Sequence, residues 1–154
     1  TAPIFVARQL VKHQVGLVWN EISRRYVDTD PVFLSPKEWR EKSENKKQGS
    51  GEGTISLTFL EQRNIEQVQI DALRAYKMLI SRNVAPEQAR MVLPQSMYTE
   101  WYWTGSLAAF ARVCNLRLSP DAQAETREVA QEISTAIEPN FPISWKHLIK
   151  NKEG

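Results

Sequence analysis

Residues 96–116, SMYTEWYWTGSLAAFARVCNL, read as a helix that is apolar on nearly every face. A surface helix shows a single apolar stripe; one that is apolar all round belongs in the middle of a core. The rest of the chain must then supply elements that wrap it. With 42% hydrophobic and 25% charged residues over 154, there is enough apolar material for a single domain spanning 1–154. No apolar run reaches the roughly 20 residues that a bilayer span needs, so no membrane partner is expected. Twenty Lys and Arg against 18 Asp and Glu leave a net charge of +2. That excludes a polycationic nucleic-acid tail or an acidic solvating tail. One cysteine excludes an internal disulfide and any cysteine-based zinc site. No metal centre is expected, and a reducing, cytoplasmic setting is the default.

Periodicity supplies the wrapping elements. Residues 3–14 read as a helix with Pro3 at its first position, stopped before Gly16. Residues 17–27 are ambiguous between strand and loop. Residues 28–40 are turn-rich, with a short helix possible after Ser35-Pro36. Residues 41–53 contain no apolar side chain and are expected to form a mobile loop. Residues 54–60 read as a short strand or a helix entry. Apolar residues at helical spacing predict a helix over 61–82, and a short one runs from Pro86 to before Pro94. Ser119-Pro120-Asp121 reads as a helix start, with Ser as N-cap and acid in the first turn, for a helix ending near Glu138. Ser144 is expected to cap a last short helix. The fold class is α+β, a helix-rich carboxyl half packed with a small, mostly antiparallel sheet.

Three clusters offer chemistry. On a helix, Gln9, Lys12 and His13 share one face, with Arg8 beside them; such a face suits an anion or is merely solvated. Asn20-Glu21-Ile22-Ser23-Arg24-Arg25-Tyr26 sets two guanidinium forks beside a serine, a donor set suited to phosphate, or else a surface loop with local ion pairs. Arg112 and Arg117 stand in apolar surroundings and need partners, either an anionic ligand or Glu125 or Glu128. Ser106, Phe110, Val113 and Arg117 would line one helix face. Cys114 reads as an inert core thiol and His147 as a surface residue. Trp101, Tyr102 and Trp103 read as core. The helices at 61–82 and 86–93 could imitate a helix-turn-helix, but near-neutral charge argues against nucleic acid.

Two of these segments together resemble the flavin-dependent thymidylate synthase family. Its signature is an Arg-His-Arg triplet followed, after a spacer, by Asn-Glu-x-Ser-x-Arg-Tyr. Residues 20–26 fit the second half, and Lys12-His13-Gln14 stands in place of the triplet, with a spacer one residue longer. Residues 2–9 fit as well. Ala89-Arg90-x-Val92-Leu93-Pro94, Tyr98-Thr99, Trp103-Thr104, Asn115-Leu116-Arg117 and Ala122-Gln123-x-Glu125 follow in family order. The altered triplet resembles phage-type members. Family members carry a further amino-terminal region, and this chain, which begins Thr1-Ala2-Pro3, reads as lacking it.

The resemblance implies a reaction and a set of roles. The family converts deoxyuridylate to thymidylate. Methylenetetrahydrofolate supplies the carbon, reduced FAD the hydride, and NADPH re-reduces the flavin. Arg117 matches the arginine that favours ionisation of the uracil ring. Gln9, Lys12, Glu21, Ser23, Arg24, Arg25 and Arg90 match nucleotide-binding positions, with Ser23, Arg24 and Arg25 at the phosphate. Lys12, His13 and Gln14 match the flavin-binding triplet, Glu21 is shared with it, and Ser106 and Arg112 fall where flavin-contacting asparagines are usual. Lys12 lacks the arginine fork, Gln14 lacks charge, and Ala108 stands where some members have an arginine. The family builds its sites between subunits of a homotetramer. The expected location is cytoplasmic, in the host if the chain is viral. A hydroxymethyl-deoxyuridylate product and a catalytically incomplete fragment are the alternatives.

Overall fold

The apolar residues at helical spacing over 61–82 produce a helix of 23 residues. In the computed structural model, which describes residues 1–23, 30–43 and 49–149, α2 spans Phe59–Ser81. Its entry is fixed by a capping box. The Thr58 hydroxyl accepts from the Glu61 amide at 3.3 Å, and the Glu61 carboxylate accepts from the Thr58 amide at 2.8 Å. That hydrogen bonding holds the Glu61 carboxyl below its ordinary range. Thr58→Ala removes one half of the box. The expected result is a melting temperature lower by roughly 2–4 °C, what losing one cap costs a chain of this size, read by circular dichroism; an unchanged midpoint would remove the box from the stability account.

The described residues group into two units. The first comprises 1–7, 21–39 and 54–101. Here β1 (Ala2–Pro3) pairs antiparallel with β5 (Tyr98–Thr99), Ala2 opposite Thr99 and Pro3 opposite Tyr98. Pro3 thus ends a strand and does not open the helix; α1 begins at Ile4. Residues 30–38 run without helix, contrary to the expectation after Ser35-Pro36. They are held to the strand region instead: Leu34 donates to the Ser96 carbonyl and Tyr98 to the Val32 carbonyl. The Gln69 side chain donates to the Leu34 carbonyl at 3.1 Å, tying this segment to α2. Residues 54–60 are strand and helix entry in turn: β4 is Thr54–Ile55, and α2 follows. After α2 come α3 (Pro86–Ala89) and a 3₁₀ turn at Arg90–Val92. A four-residue α3 is too short to serve as a recognition helix.

The second unit comprises 8–20, 40–53 and 102–154. The last turn of α1 (Ile4–Leu10) belongs to it, and the helix stops at Leu10. Lys12 and His13 therefore sit in the turn after α1, and the expected helical face of Gln9, Lys12 and His13 does not form. The apolar segment at 96–116 is not one helix either. It divides into β5, β6 (Trp101–Gly105) and α4 (Leu107–Arg117). The aromatic and threonine-rich half has strand propensity, and Ser106 accepts from the Ala109 amide to start the helix. Its apolar residues exceed what one helix face can carry because half of them line a strand. β6 pairs with β2 (Leu17–Glu21). Within this unit the Ser106 amide donates to the Gly16 carbonyl, closing one end of that ladder. Gly16 adopts φ +75°, and a Cβ there would lie 3.2 Å from the Ala109 side chain.

Ser119 and Asp121 form a turn rather than a helix start; Ala122 donates to the Ser119 carbonyl. Helix α5 begins only at Ala124 and runs to Ile137. Helix α6 is Pro142–Leu148, so Ser144 lies inside it and Pro142 opens it. The core of this unit is Ala111, Cys114 and Trp145, with Leu107, Phe110, Ile133, Ile137 and Leu148 packed around them. Cys114 is fully buried, and burial raises its thiol to about 11. It is expected to resist an aromatic disulfide reagent at pH 8 and to react once the chain is denatured; fast labelling of the folded chain would contradict an inert core thiol. His147 is exposed, as expected.

Residues 44–48 of the segment expected to be a mobile loop lie outside the described residues. Its flanks are placed: Glu41 donates to the Gly53 carbonyl and accepts from the Gly51 amide, next to β3 (Trp39–Arg40).

Candidate functional site

The second unit holds a cavity of about 430 Å³. It is lined by Gln9 from the end of α1, Lys12 from the following turn, Arg117 from the last turn of α4, and Gln123 before α5. Arg40, Gly49 and Ser50 complete the lining. Lys12, Arg40 and Arg117 bring three cations to this lining, with no carboxylate there among the described residues. Such a cavity favours an anion.

Arg117 is held by uncharged partners. Its position at the carboxyl end of α4 is favoured by the helix dipole. Its Nε–H donates to His13 Nε2 at 3.0 Å, and an Nη–H donates to the Gln9 carbonyl at 3.3 Å. A guanidinium has only donors, so His13 Nε2 must be a bare acceptor. His13 is then neutral, with its proton on Nδ1. Burial, and after it the charge of Arg117, holds the His13 pKa below its ordinary value. Partial burial also lowers Arg117, which stays a cation at neutral pH. The salt bridge from Arg117 to Glu125 or Glu128 that the sequence left open does not form.

Glu125 pairs with Arg40 instead. Burial pushes its carboxyl up, but the hydrogen bond and charge of Arg40 outweigh this and leave the pKa lowered. Beside this pair, the Gln9 side-chain amide donates to the Gln123 carbonyl oxygen. The hydroxyl of Thr126, fully buried, donates to Gln9 Oε1 at 3.3 Å. The Gln9 amide is thus oriented from both ends. Gln123 carries no side-chain cap for α5 because its amide is engaged at the cavity. Gly49 takes φ +88° against the turn before α5, where a Cβ would lie 3.1 Å from the Asp121 carbonyl oxygen.

The cavity therefore unites three expected residues, Gln9, Lys12 and Arg117, with His13 bonded behind the last. A second grouping gathers around the turn at 14–17. Arg112 is exposed, not buried as expected, and donates to the Val15 carbonyl. Ser106, the cap of α4, lies against Gly16, and Gln14 is exposed in the same turn. Trp103 from β6 packs edge-on against Trp19 and Phe110, at centroid distances of 5.3 and 5.5 Å. Its buried indole N–H has no acceptor among the described residues.

Glu21, Ser23 and Arg90 belong to the first unit. There Glu21 accepts from the Thr99 hydroxyl at 2.7 Å. Arg90 is exposed and donates to the Glu87 carbonyl at 3.4 Å. Arg24 and Arg25 lie outside the described residues. Sequence reasoning missed Arg40, Gly49, Ser50 and Thr126 as participants. Arg40 looked like one of many loop cations, and Gly49-Ser50 like solvated chain. Gln123 and Glu125 did carry a signal, as parts of a motif, but without a role. Among the described residues no cluster of His, Cys, Asp and Glu could hold a metal ion, and no helix is long and apolar enough to cross a membrane.

Comparison with known proteins places residues 1–143 in the family described as thymidylate synthase complementing protein. The flavin-dependent thymidylate synthase of Thermus thermophilus is 38% identical over 153 residues, covering 97% of this chain and 56% of the relative. The enzyme of the same name from Kosmotoga olearia is 34% identical over 150 residues, covering 96% and 64%. This chain spans little more than half the length of the Thermus relative. Among solved structures, a UMP/dUMP methylase, PolB of Streptomyces cacaoi, bound with 5-Br dUMP, superposes with a TM-score of 0.79. It is 29% identical, over 94% of this chain and 66% of that one. The same methylase bound with 5-Br UMP gives 0.75 at 26% identity, over 94% and 68%.

Proposed function

Because the chain belongs to the thymidylate synthase complementing protein family, we propose that it binds deoxyuridylate and acts in its conversion to thymidylate. The observation that carries this reading is the cavity where Arg117, Gln9 and Lys12 converge. Arg117 acts on the uracil. A guanidinium at the ring edge stabilises negative charge there, which makes C5 a better nucleophile. Its effect is largest where water is excluded, and Arg117 is partly buried already. The oriented Gln9 amide offers a donor and an acceptor to the same ring, and Lys12 adds positive charge for an anionic ligand. Ser23, Arg24 and Arg25 grip the phosphate, and Glu21 and Arg90 complete the nucleotide contacts.

The residues of the 12–16 turn fit a flavin. Lys12, Gln14, Ser106 and Arg112 offer donors, and so does the buried Trp103 N–H, which has no acceptor among the described residues. The His13 ring stands 6.5 Å from Trp103. When bound, FAD supplies hydride to a one-carbon unit from methylenetetrahydrofolate and is re-reduced by NADPH. The sites are completed between subunits of a homotetramer. Exposed Phe59, Leu60, Val68 and Met78 along α2, with Met91, support an assembly that covers them. A cytoplasmic location suits a nucleotide-biosynthetic role.

Release of tritium from C5-labelled deoxyuridylate tests the reading. With FAD, NADPH and methylenetetrahydrofolate present, the chain is expected to release tritium, with thymidylate as product. Hydroxymethyl-deoxyuridylate would replace the product assignment, and no release would remove the catalytic one.

A further inference from the structure

We propose that His13 is a positioning residue for Arg117: its neutral imidazole, accepting at Nε2, fixes the guanidinium that faces the cavity. The inference rests on the nucleotide reading above and deepens it. Arg117 is tied on one side only, to His13 Nε2 and to the Gln9 carbonyl. These bonds use Nε–H and one Nη–H, leaving the other Nη donors for a ligand. Both holders are neutral. A carboxylate would hold the guanidinium more tightly, but it would cancel the charge that an ionising uracil must feel. Ion pairs among the described residues include Arg40–Glu125, Arg74–Asp71 and Lys77–Asp30, and none of these three involves Arg117. Among the described residues no carboxylate offsets its charge.

His13 is itself held. Its amide donates to the Leu10 carbonyl at 3.0 Å, closing the turn after α1. Its ring meets Trp103, which Trp19 and Phe110 fix edge-on. The charge bearing on it is Arg117, from α4. β6 presents an uncharged ring, and Lys12 is its charged chain neighbour on the cavity wall. Protonation would fill Nε2 and set two cations against each other. Because the folded pKa lies below the ordinary one, the arrangement is complete at neutral pH. It is lost as pH falls through the folded value.

Two measurements test this. Nitrogen-15 spectra of the imidazoles at neutral pH are expected to show His13 with its proton on Nδ1 and a bonded Nε2. His147, the second of two histidines, is assigned by His147→Gln. A protonated Nε2 would overturn the proposal. Isothermal titration with deoxyuridylate then compares wild type with His13→Leu, His13→Gln and Arg117→Ala. His13→Leu is expected to weaken binding about 10–100-fold, the effect of losing one hydrogen bond to a charged group. His13→Gln, which restores an uncharged acceptor, recovers most of that loss. On acidification, wild-type affinity falls relative to His13→Gln, whose acceptor does not titrate. That comparison decides the matter even if His13→Leu does not fold. Wild-type affinity in His13→Leu, with Arg117→Ala still impaired, sinks the positioning role and spares the nucleotide reading. Undiminished binding by Arg117→Ala, or none by wild type, sinks the nucleotide reading itself.

Discussion

Arg117→Ala is expected to lower tritium release from C5 of deoxyuridylate by about 10²–10³-fold, the usual cost of removing one donor aimed at developing charge. Part of the loss should appear as weaker ground-state binding and the rest in kcat, since ring charge grows towards the transition state. The fold should survive. Arg117 stands at the last turn of α4 and lines the cavity, so water can take the place of the guanidinium beside its partners, His13 Nε2 and the Gln9 carbonyl. The melting temperature should therefore move by no more than a surface substitution usually moves it. Turnover that matches wild type would take Arg117 out of the mechanism. A collapsed melting transition would make its role structural.

The second large effect concerns stability. Trp145→Ala is expected to destabilise the chain by about 3–5 kcal/mol, the range for deleting a buried large aromatic side chain. Trp145 is 2% exposed and shares its core with Ala111 and Cys114. Its indole N–H donates to the Ser134 hydroxyl at 3.0 Å, so the truncation also breaks a link between α6 and α5. Against the roughly 5–15 kcal/mol that holds an ordinary domain together, this is a large fraction. Urea denaturation followed by circular dichroism would show it. Trp145→Phe keeps most of the volume and should cost much less. Equal losses for the two would place the stability in the hydrogen bond rather than in the packing.

Legibility followed the physics of each segment. Helix α2 was readable over 61–82 because apolar residues recur there at helical spacing; its true start at Phe59, set by the Thr58 cap, was left open as a strand or helix entry. The run 96–116 was misread because apolar content says how much is buried, not by which element. Trp101, Tyr102 and Trp103 suit a strand as well as a buried helix. The start of α5 was misplaced because Ser119-Pro120-Asp121 is equally good turn chemistry. The site was legible through motif residues Gln9, Lys12 and Arg117, which the cavity brings together. Arg40 and Thr126 were not, because their roles arise from contacts across 85 and 117 residues of chain. No local pattern encodes a partner so distant in sequence.

The central claim is that the cavity at Arg117 takes a uracil nucleotide with its ring against the guanidinium. A crystal structure of the chain with 5-bromodeoxyuridylate tests it most directly, since the anomalous signal of bromine marks ring C5. The account predicts bromine within the cavity lined by Gln9 and Gln123, and the uracil edge within hydrogen-bonding distance of Arg117. A nucleotide bound outside that cavity, or one that sets its phosphate rather than its base on Arg117, would contradict it.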